Sequence, residues 1–191
     1  TPDSMFTISH IGTLNAARNP KTLWKVLGEI SSADEKFRSD LKIQLIGKTD
    51  FSVLEDIEKL GLTPRLEKTE YLPHSEANAR QQTSQILLLL INNTANAKGI
   101  LTGKFFEYLS AGRPILAVGP VDGEVAKVLE DTQAGMIVDF EDEENTRKAV
   151  LDYYNSYKQG NLKVAAKSID KFSRKSLTGE LAEIINTLAT K

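Results

Sequence analysis

The chain has no cysteine among its 191 residues, which excludes disulfide bonds, thiolate catalysis and cysteine-ligated zinc or iron–sulfur centres. Its two histidines, His10 and His74, leave no HExxH or histidine-rich metal site. The longest aliphatic run, residues 86–91, is far too short to cross a bilayer. With 24 Lys and Arg against 26 Asp and Glu, the net charge of −2 lacks the basic excess typical of nucleic-acid-binding proteins. We therefore expect neither a metal nor a nucleic-acid partner.

The composition that remains is typical of a globular domain. Hydrophobic residues make up 40% of the chain and charged residues 26%, enough to bury a core and too apolar for a disordered protein. No signal peptide is visible, so the sequence predicts a cytoplasmic α/β domain. Because the first residue is Thr1 rather than Met, we expect further segments of the natural protein to precede it.

Short apolar runs alternate with longer amphipathic stretches along the chain. The runs predicted as strands are 5–11, 41–46, 65–68, 86–91, 114–118 and 135–138. Helices are predicted near 20–30, 50–60, 75–83, 103–111, 123–129, 143–158 and 162–189. This alternation specifies βαβ units, so we predict a Rossmann-like, three-layer α/β/α fold with a parallel sheet of about six strands. One domain is expected over residues 1–191, with residues 160–191 as a C-terminal helical extension.

Ligands in such sheets bind beyond the carboxyl ends of the strands, where two loops carry candidate chemistry. In the first loop, Gly12 allows close approach of the backbone, and Arg18 precedes a helix whose terminal amides favour phosphate. The loop is neither a GxGxxG fingerprint nor a P-loop, and Gly47 and Lys48 end the second strand where NAD enzymes carry an acidic residue. An NAD-dependent oxidoreductase is therefore disfavoured. Taken alone, this loop favours an ordinary turn glycine and an exposed arginine.

The second loop leads into the helix at residues 103–111, which Thr102 is placed to cap. Lys104 and Glu107 are three residues apart and so share one helical face near its N-terminus. Lys104 together with the terminal amides suits a diphosphate, and the Glu107 carboxylate suits the two hydroxyls of a ribose. The alternative is an exposed Lys–Glu pair that contributes a few tenths of a kcal/mol to helix stability.

Residues 102–117 resemble the pattern TGKxFEYLxxGxPILA, the donor-nucleotide motif of family 4-like, retaining GT-B glycosyltransferases that build bacterial polysaccharides. The first loop resembles the GRLxxxKNP motif of the same family: Gly12, Leu14, Asn19 and Pro20 match, and Arg18 replaces the usual lysine. Since the spacing of the strands also agrees, the resemblance covers nearly the whole chain.

This resemblance implies the C-terminal, donor-binding domain of an enzyme that moves a sugar from a nucleoside-diphosphate sugar to a hydroxyl acceptor, in polysaccharide or glycan biosynthesis. It implies Lys104 and Arg18 as the catalytic cations on the leaving diphosphate and Glu107 as the ribose ligand. No cofactor is implied, because the nucleotide sugar is the donor substrate. The further substrate-binding residues that it implies are Gly12, Thr13, Leu72, Asn92, Thr102 and Gly103.

Two positions depart from the family pattern. Thr13 stands where the family has a phosphate-binding arginine, and Gly99 stands where the E-x7-E pair has its first glutamate. Recognition of the sugar would then use neighbours such as Asn96, Lys98 or Thr102. These losses leave open a non-catalytic Rossmann-like module that binds a nucleotide or a protein.

The resemblance also places an acceptor domain N-terminal to this chain, which would therefore bind nucleotide weakly and transfer no sugar by itself. The helix at 162–189 is expected to cross back to that missing lobe. The basic segment 167–175 (Lys167, Lys171, Arg174 and Lys175) is either a solvated face or a docking surface for peripheral association of the parent protein with a membrane. His10 is expected to be packed in the core, and His74 to be a cap or surface residue.

Overall fold

A computed structural model describes residues 1–164 and 169–189. Within these ranges the strands are β1 (Phe6–Ile11), β2 (Leu41–Ile46), β3 (Leu66–Thr69), β4 (Ile86–Leu90), β5 (Ile115–Val118) and β6 (Gly135–Val138). The helices are α1 (Lys21–Ala33), α2 (Glu35–Asp40), α3 (Phe51–Lys59), α4 (His74–Thr83), α5 (Gly103–Ala111), α6 (Glu124–Thr132), α7 (Glu143–Lys158) and α8 (Arg174–Ala189).

The strands form one fully parallel sheet in the order β3-β2-β1-β4-β5-β6. From β1 the chain proceeds through β2 to β3 at one edge of the sheet, and from β4 it proceeds through β5 to β6 at the opposite edge. The strand order therefore reverses between β1 and β4. In doubly wound sheets this reversal opens a crevice at the carboxyl edge. The predicted Rossmann-like fold is therefore confirmed.

A hydrophobic cluster covers each face of the sheet. The first includes Trp24 of α1, Phe37 of α2 and Tyr154 of α7, and the second includes Phe105 and Leu109 of α5. Both faces of β4 are buried, as its uninterrupted aliphatic sequence predicts. Helices therefore cover both sides of the sheet, which leaves the edges and strand ends for loops.

Helix caps follow the sequence closely. The Asp50 side chain accepts the Ser52 amide at the start of α3, and Thr102 accepts the Phe105 amide at the start of α5. Gly112 ends α5 in the left-handed conformation at φ 66°, where a glycine carries no Cβ penalty. The Thr102 cap fixes the first turn of α5 at the carboxyl edge of the sheet.

α4 is an almost wholly polar helix with one buried side chain, Gln81. It packs against β1 and α5, next to a polar part of the sheet. There the Ser84 hydroxyl donates to Ser9 at 2.7 Å, and Ser9 donates to the Gln44 amide oxygen at 3.1 Å. These hydrogen bonds lie beside the C-terminal end of α4, and Ala77 of α4 packs against the second hydrophobic cluster.

Two helical predictions were wrong. The sequence analysis missed α2, a six-residue helix whose one buried side chain is Phe37 and whose N-cap is Asp34. The predicted continuous helix over 162–189 is not formed: residues 161–164 are non-helical, 169–172 form a 3₁₀ turn, and α8 begins only at Arg174. Ser173 starts the new helix because its hydroxyl accepts the Ser176 amide at 3.1 Å.

Candidate functional site

The crevice between β1 and β4 begins where their pairing stops. Paired positions between these strands are limited to Ile8 with Ile86 and Ser9 with Leu87, whereas β1 pairs with β2 along its whole length. Beyond Ser9 the backbone groups on the two facing edges need other partners, since buried amides and carbonyls are rarely left unpaired.

Side chains supply those partners. The Ile11 amide donates to the Tyr108 hydroxyl at 3.0 Å, and the Ile11 carbonyl accepts from Lys104 Nζ. Across the crevice, Nδ1 of His10 lies 3.0 Å from the Leu88 carbonyl oxygen. Burial raises the pKa of the Tyr108 hydroxyl, which therefore stays protonated. These contacts fasten α5 to the carboxyl end of β1.

Gly12 follows β1 with φ at +128°, a conformation that L side chains rarely adopt. A Cβ atom at this position would also lie 1.9 Å from Lys104 Nζ. The sequence analysis predicted that Gly12 allows close approach of the backbone to a ligand. In this structure the group in that space is the Lys104 ammonium.

The Lys104 ammonium and the Arg18 guanidinium act on each other electrostatically. Burial, and next the charge of Arg18, lower the pKa of Lys104, while Glu107 partly offsets this effect. Arg18 Nε donates to Asn92 Oδ1, so the first residues after β4 orient the guanidinium. Its remaining N–H groups donate to no described residue, which leaves them available to an anion.

Glu107 lies almost one helical turn beyond Lys104, exposed, with no hydrogen bond or ion pair to any residue that the structure describes. It borders a cavity of about 540 Å³ between α4, α5 and residues 172–177. A Cβ atom added to Gly103, which also lines this cavity, would meet nothing within 4 Å. The helix terminus is therefore open to a ligand beside an unpaired carboxylate.

The other predicted binding residues are more dispersed. Thr102 uses its hydroxyl for the cap of α5, and Thr13 is exposed. Leu72 is half-buried against the second hydrophobic cluster, in the loop before α4. Of the neighbours considered for sugar recognition, Lys98 is held by Asp122 at 2.6 Å. The structure thus brings Gly12, Arg18, Asn92 and Lys104 together, with Gly103 and Glu107 beside the neighbouring cavity.

Asn19 and Pro20, two of the first-loop residues that match the family motif, make structural contacts within the fold. Asn19 accepts from the Trp24 indole at 2.9 Å and donates to Asp56 at 2.7 Å, so it connects the start of α1 to α3. Pro20 precedes α1 and is buried. This pair fixes the chain directly after Arg18.

His10 is packed in the interior, as expected, but it belongs to the wall of the crevice. Burial, and next the charge of Lys104, lower its pKa to about 4, and Arg18 acts in the same direction. Among the described residues its Nε2 has no hydrogen-bond partner. A histidine just before a strand-ending glycine is the one sequence signal of this placement.

The basic C-terminal segment falls partly outside the described residues, where Lys167 lies. Within the described part, Lys171 forms an ion pair with Asp131 at 2.9 Å. In the ranges 1–164 and 169–189, no helix combines the length and apolar character needed to span a bilayer. α8 leaves one side apolar, with five side chains between 47% and 68% exposed: Leu177, Leu181, Ile184, Ile185 and Leu188.

Comparison with known proteins finds no matching family model and no matching curated sequence. Solved structures do match, at low sequence identity. WaaG, a glycosyltransferase of lipopolysaccharide biosynthesis, gives a TM-score of 0.62 at 15% identity, over 85% of this chain and 40% of WaaG. HepE from Anabaena, solved with UDP-glucose, gives 0.68 at 13% identity, over 98% of this chain and 49% of HepE. The chain has the fold of a GT-B glycosyltransferase lobe.

Sucrose-phosphate synthase from Thermosynechococcus elongatus contains the same GT-B lobe fold, with a TM-score of 0.66 at 11% identity. That match covers all of this chain and 47% of the synthase. The chain thus spans less than half the length of these enzymes. This extent fits one of the two lobes that make up a GT-B enzyme.

Proposed function

We propose that this chain is the C-terminal, donor-binding lobe of a retaining glycosyltransferase that uses a nucleoside-diphosphate sugar. The observation that carries the proposal is the convergence of Lys104 and Arg18 at the sheet reversal, beside the unpaired Glu107. The charges of Lys104 and Arg18 repel each other and Glu107 offsets this repulsion only in part, so a bound diphosphate would relieve it.

The diphosphate is assigned to Lys104, Arg18 and the start of α5. The amides of Gly103 and Lys104 head this helix and have no hydrogen-bond partner in the described structure. Helix N-termini of this kind favour anions through free N–H groups and the helix dipole. Lys104 retains N–H donors beyond the one given to Ile11, and Arg18 has donors beyond the one given to Asn92.

The nucleoside is assigned to the cavity on the other side of Gly103. Glu107 would accept hydrogen bonds from both ribose hydroxyls, and the loop at Leu72, just before α4, would lie towards the base. Phe106 and Phe172 give this cavity an apolar wall, and His74 and Asn78 of α4 supply polar groups. A volume of about 540 Å³ is within the range of small-molecule sites.

In this proposal an acceptor hydroxyl attacks the anomeric carbon, the bond from that carbon to the phosphate oxygen breaks, and the hydroxyl proton leaves with the departing diphosphate. Lys104, Arg18 and the helix amides stabilise the negative charge that develops on the departing diphosphate, the role that a metal ion has in other transferases. The acceptor would bind to an N-terminal lobe, and the exposed apolar side of α8 fits contact with that lobe. A cytoplasmic role in polysaccharide or glycan assembly, with or without peripheral membrane association, is part of the same proposal.

Calorimetric titration of the chain with UDP, GDP and ADP tests donor binding. We expect saturable binding of one nucleotide, weakened at least tenfold when Lys104 and Arg18 are both replaced by methionine. The double substitution Lys59→Met, Lys127→Met is the matched control, since both of these lysines lie in exposed ion pairs. Equal binding by all three proteins, or no binding of any nucleotide, would contradict the proposal.

A second candidate is a non-catalytic binding module. Gly99 and Thr13 favour it, because they replace the glutamate and the arginine of the family pattern. The internal hydrogen bonds of Lys104 to Ile11 and of Arg18 to Asn92 favour it as well. Sugar transfer measured with the full-length parent protein separates the two functions. Transfer that Lys104→Met abolishes supports the enzyme, and nucleotide binding without transfer or donor hydrolysis supports the module.

A further inference from the structure

The buried side chain of His10 has a defined tautomer. Its Nδ1 faces the Leu88 carbonyl oxygen at 3.0 Å, and because a carbonyl can only accept, Nδ1 carries the hydrogen. In the neutral ring, Nε2 is then a bare acceptor. No described group donates to it, although the side chain is only 1% exposed.

The two charged groups that act most on this ring are Lys104 and Arg18, the cations of the proposed diphosphate site. Lys104 reaches it from α5 and Arg18 from the loop after β1, and both charges oppose protonation of the ring. The backbone groups of Leu88 on β4 and of Thr13 favour protonation, but burial outweighs them and keeps the ring neutral. The main electrostatic contributions to the pKa of His10 come from these two cations, and no acidic side chain of the described residues is among the largest.

We propose that His10 is a third ionisable group of the donor site, which takes up one proton at Nε2 when a diphosphate binds to Lys104 and Arg18. The inference rests on the proposed function. The proton comes from the buffer, and no other bond is made or broken. Before protonation Nε2 is an acceptor to which no described group donates. After protonation it donates a hydrogen bond, which a phosphate oxygen or the Thr13 backbone can accept.

The direction follows from electrostatics. The empty site places His10 beside two positive charges, which hold its pKa at about 4 together with burial. A bound diphosphate cancels those charges, so the pKa of His10 rises in the complex. Binding therefore strengthens as the pH falls through the raised value, and each unit of increase is worth up to tenfold in affinity.

The test uses UDP-glucose, GDP-mannose and ADP-glucose as probes. Each phosphate of these conjugates carries one ester and one anhydride linkage and keeps only a strongly acidic hydroxyl, so their charge stays constant over about pH 5 to 8, where histidine titrates. Titrations in buffers of different ionisation enthalpy give the number of protons bound per site. We expect uptake of up to one proton, and severalfold tighter binding of the preferred probe near pH 5 than near pH 8.

His10→Asn is the informative variant, because its amide can still donate to Leu88 and cannot titrate. We expect it to bind the probe without proton uptake. The chain has one other histidine, His74. His74→Gln is the matched control for titration alone, because His74 lines the nucleoside cavity: the affinity of this variant can change, but the proton uptake per bound probe should persist. Should His10→Asn fail to fold, two measurements on the unaltered protein test the inference. The binding heats in different buffers give the proton uptake, and the NMR signals of the His10 ring report its charge with and without probe.

Two outcomes separate this inference from the proposed function. Probe binding that involves no proton uptake and leaves His10 neutral overturns the role of His10 and keeps the donor lobe. Failure of every probe to bind at any pH overturns both. Uptake that survives in His10→Asn and disappears in His74→Gln assigns the proton to the nucleoside cavity and contradicts the inference.

Discussion

The space that a Cβ atom of Gly12 would occupy is filled by the Nζ atom of Lys104, 1.9 Å from the ideal Cβ position. Gly12 follows β1, and Lys104 lies 92 residues later in the first turn of α5. The Lys104 ammonium can therefore lie at this point only because Gly12 has no side chain. Changes at either residue should affect anion binding and stability differently.

Gly12→Ala should lower both stability and nucleotide affinity. The new methyl group strains a backbone at φ +128° and displaces the ammonium, so we expect destabilisation of about 1–3 kcal/mol and at least about tenfold weaker binding. Gly61→Ala is the control, because Gly61 has φ +70° with no atom near its Cβ position. Thermal unfolding and calorimetry of both variants would show a loss of binding specific to Gly12; equal effects would refute the coupling to Lys104.

Lys104→Met should separate binding from stability. The methionine keeps the apolar stem and removes a charge whose pKa burial and Arg18 already lower, but it leaves the Ile11 carbonyl without its donor. These opposing effects are each about 1 kcal/mol, so we expect a Tm within about 4 °C of the unaltered protein. Nucleotide affinity should fall about 10- to 100-fold, the typical loss for a charge-assisted hydrogen bond. Unchanged affinity in a folded variant would remove Lys104 from the site.

Glu107→Gln should alter recognition of ribose alone. Because Glu107 is exposed and unpaired among the described residues, its replacement should change the free energy of unfolding by less than about 0.5 kcal/mol. Affinity for the bound ribonucleotide should fall about tenfold. The 2′-deoxy nucleotide should bind about tenfold more weakly to the unaltered protein and show little further loss with the variant. Additive losses would mean that Glu107 does not contact the ribose.

Lys42→Met should cost stability in a pH-dependent way. Lys42 bonds Glu67 at 2.6 Å and Asp3 at 3.3 Å, and its ammonium is the main cause of the lowered pKa of Glu67. A lowered carboxyl pKa stabilises the fold above the unfolded-state value and loses that effect as the pH falls through the folded-state value. We expect a loss of at most about 1 kcal/mol near pH 7 that is smaller near pH 4, below the ordinary carboxyl pKa.

Urea unfolding at both pH values measures the Lys42 effect. Lys59→Met is the control, since the Lys59–Glu55 pair lies exposed on one helix. A Lys42 deficit that stays constant with pH would show that packing, rather than the ion pairs, stabilises this part of the sheet.

β4 could be predicted because burial on both faces demands continuous apolar sequence. α2 could not, since six residues with the single buried Phe37 give no helical periodicity. Similarly, the break before α8 depends on Ser173, a residue that also occurs inside helices. Local patterns thus predict elements that bury a stripe or a face, and they miss elements defined by one contact or one cap.

The candidate site shows the same division. The spacing of Lys104 and Glu107 predicts one helical face, and both do lie near the first turn of α5. The partners of Lys104 and Tyr108 at Ile11 depend on where β1 and β4 separate, which only the assembled sheet defines. The unpartnered Nε2 of His10 is likewise a property of the assembled crevice.

The polar surroundings of α4 predict that this helix opens locally more readily than its neighbours. With Gln81 as its one buried side chain, this helix gains little from apolar burial, and protein segments of that kind open at a small fraction of the global unfolding cost. Amide hydrogens of α4 should therefore exchange with solvent sooner than those of α5 across the cavity. One wall of the cavity would then be pliant and the other rigid, so a nucleoside that contacts both would slow exchange in α4 far more than in α5.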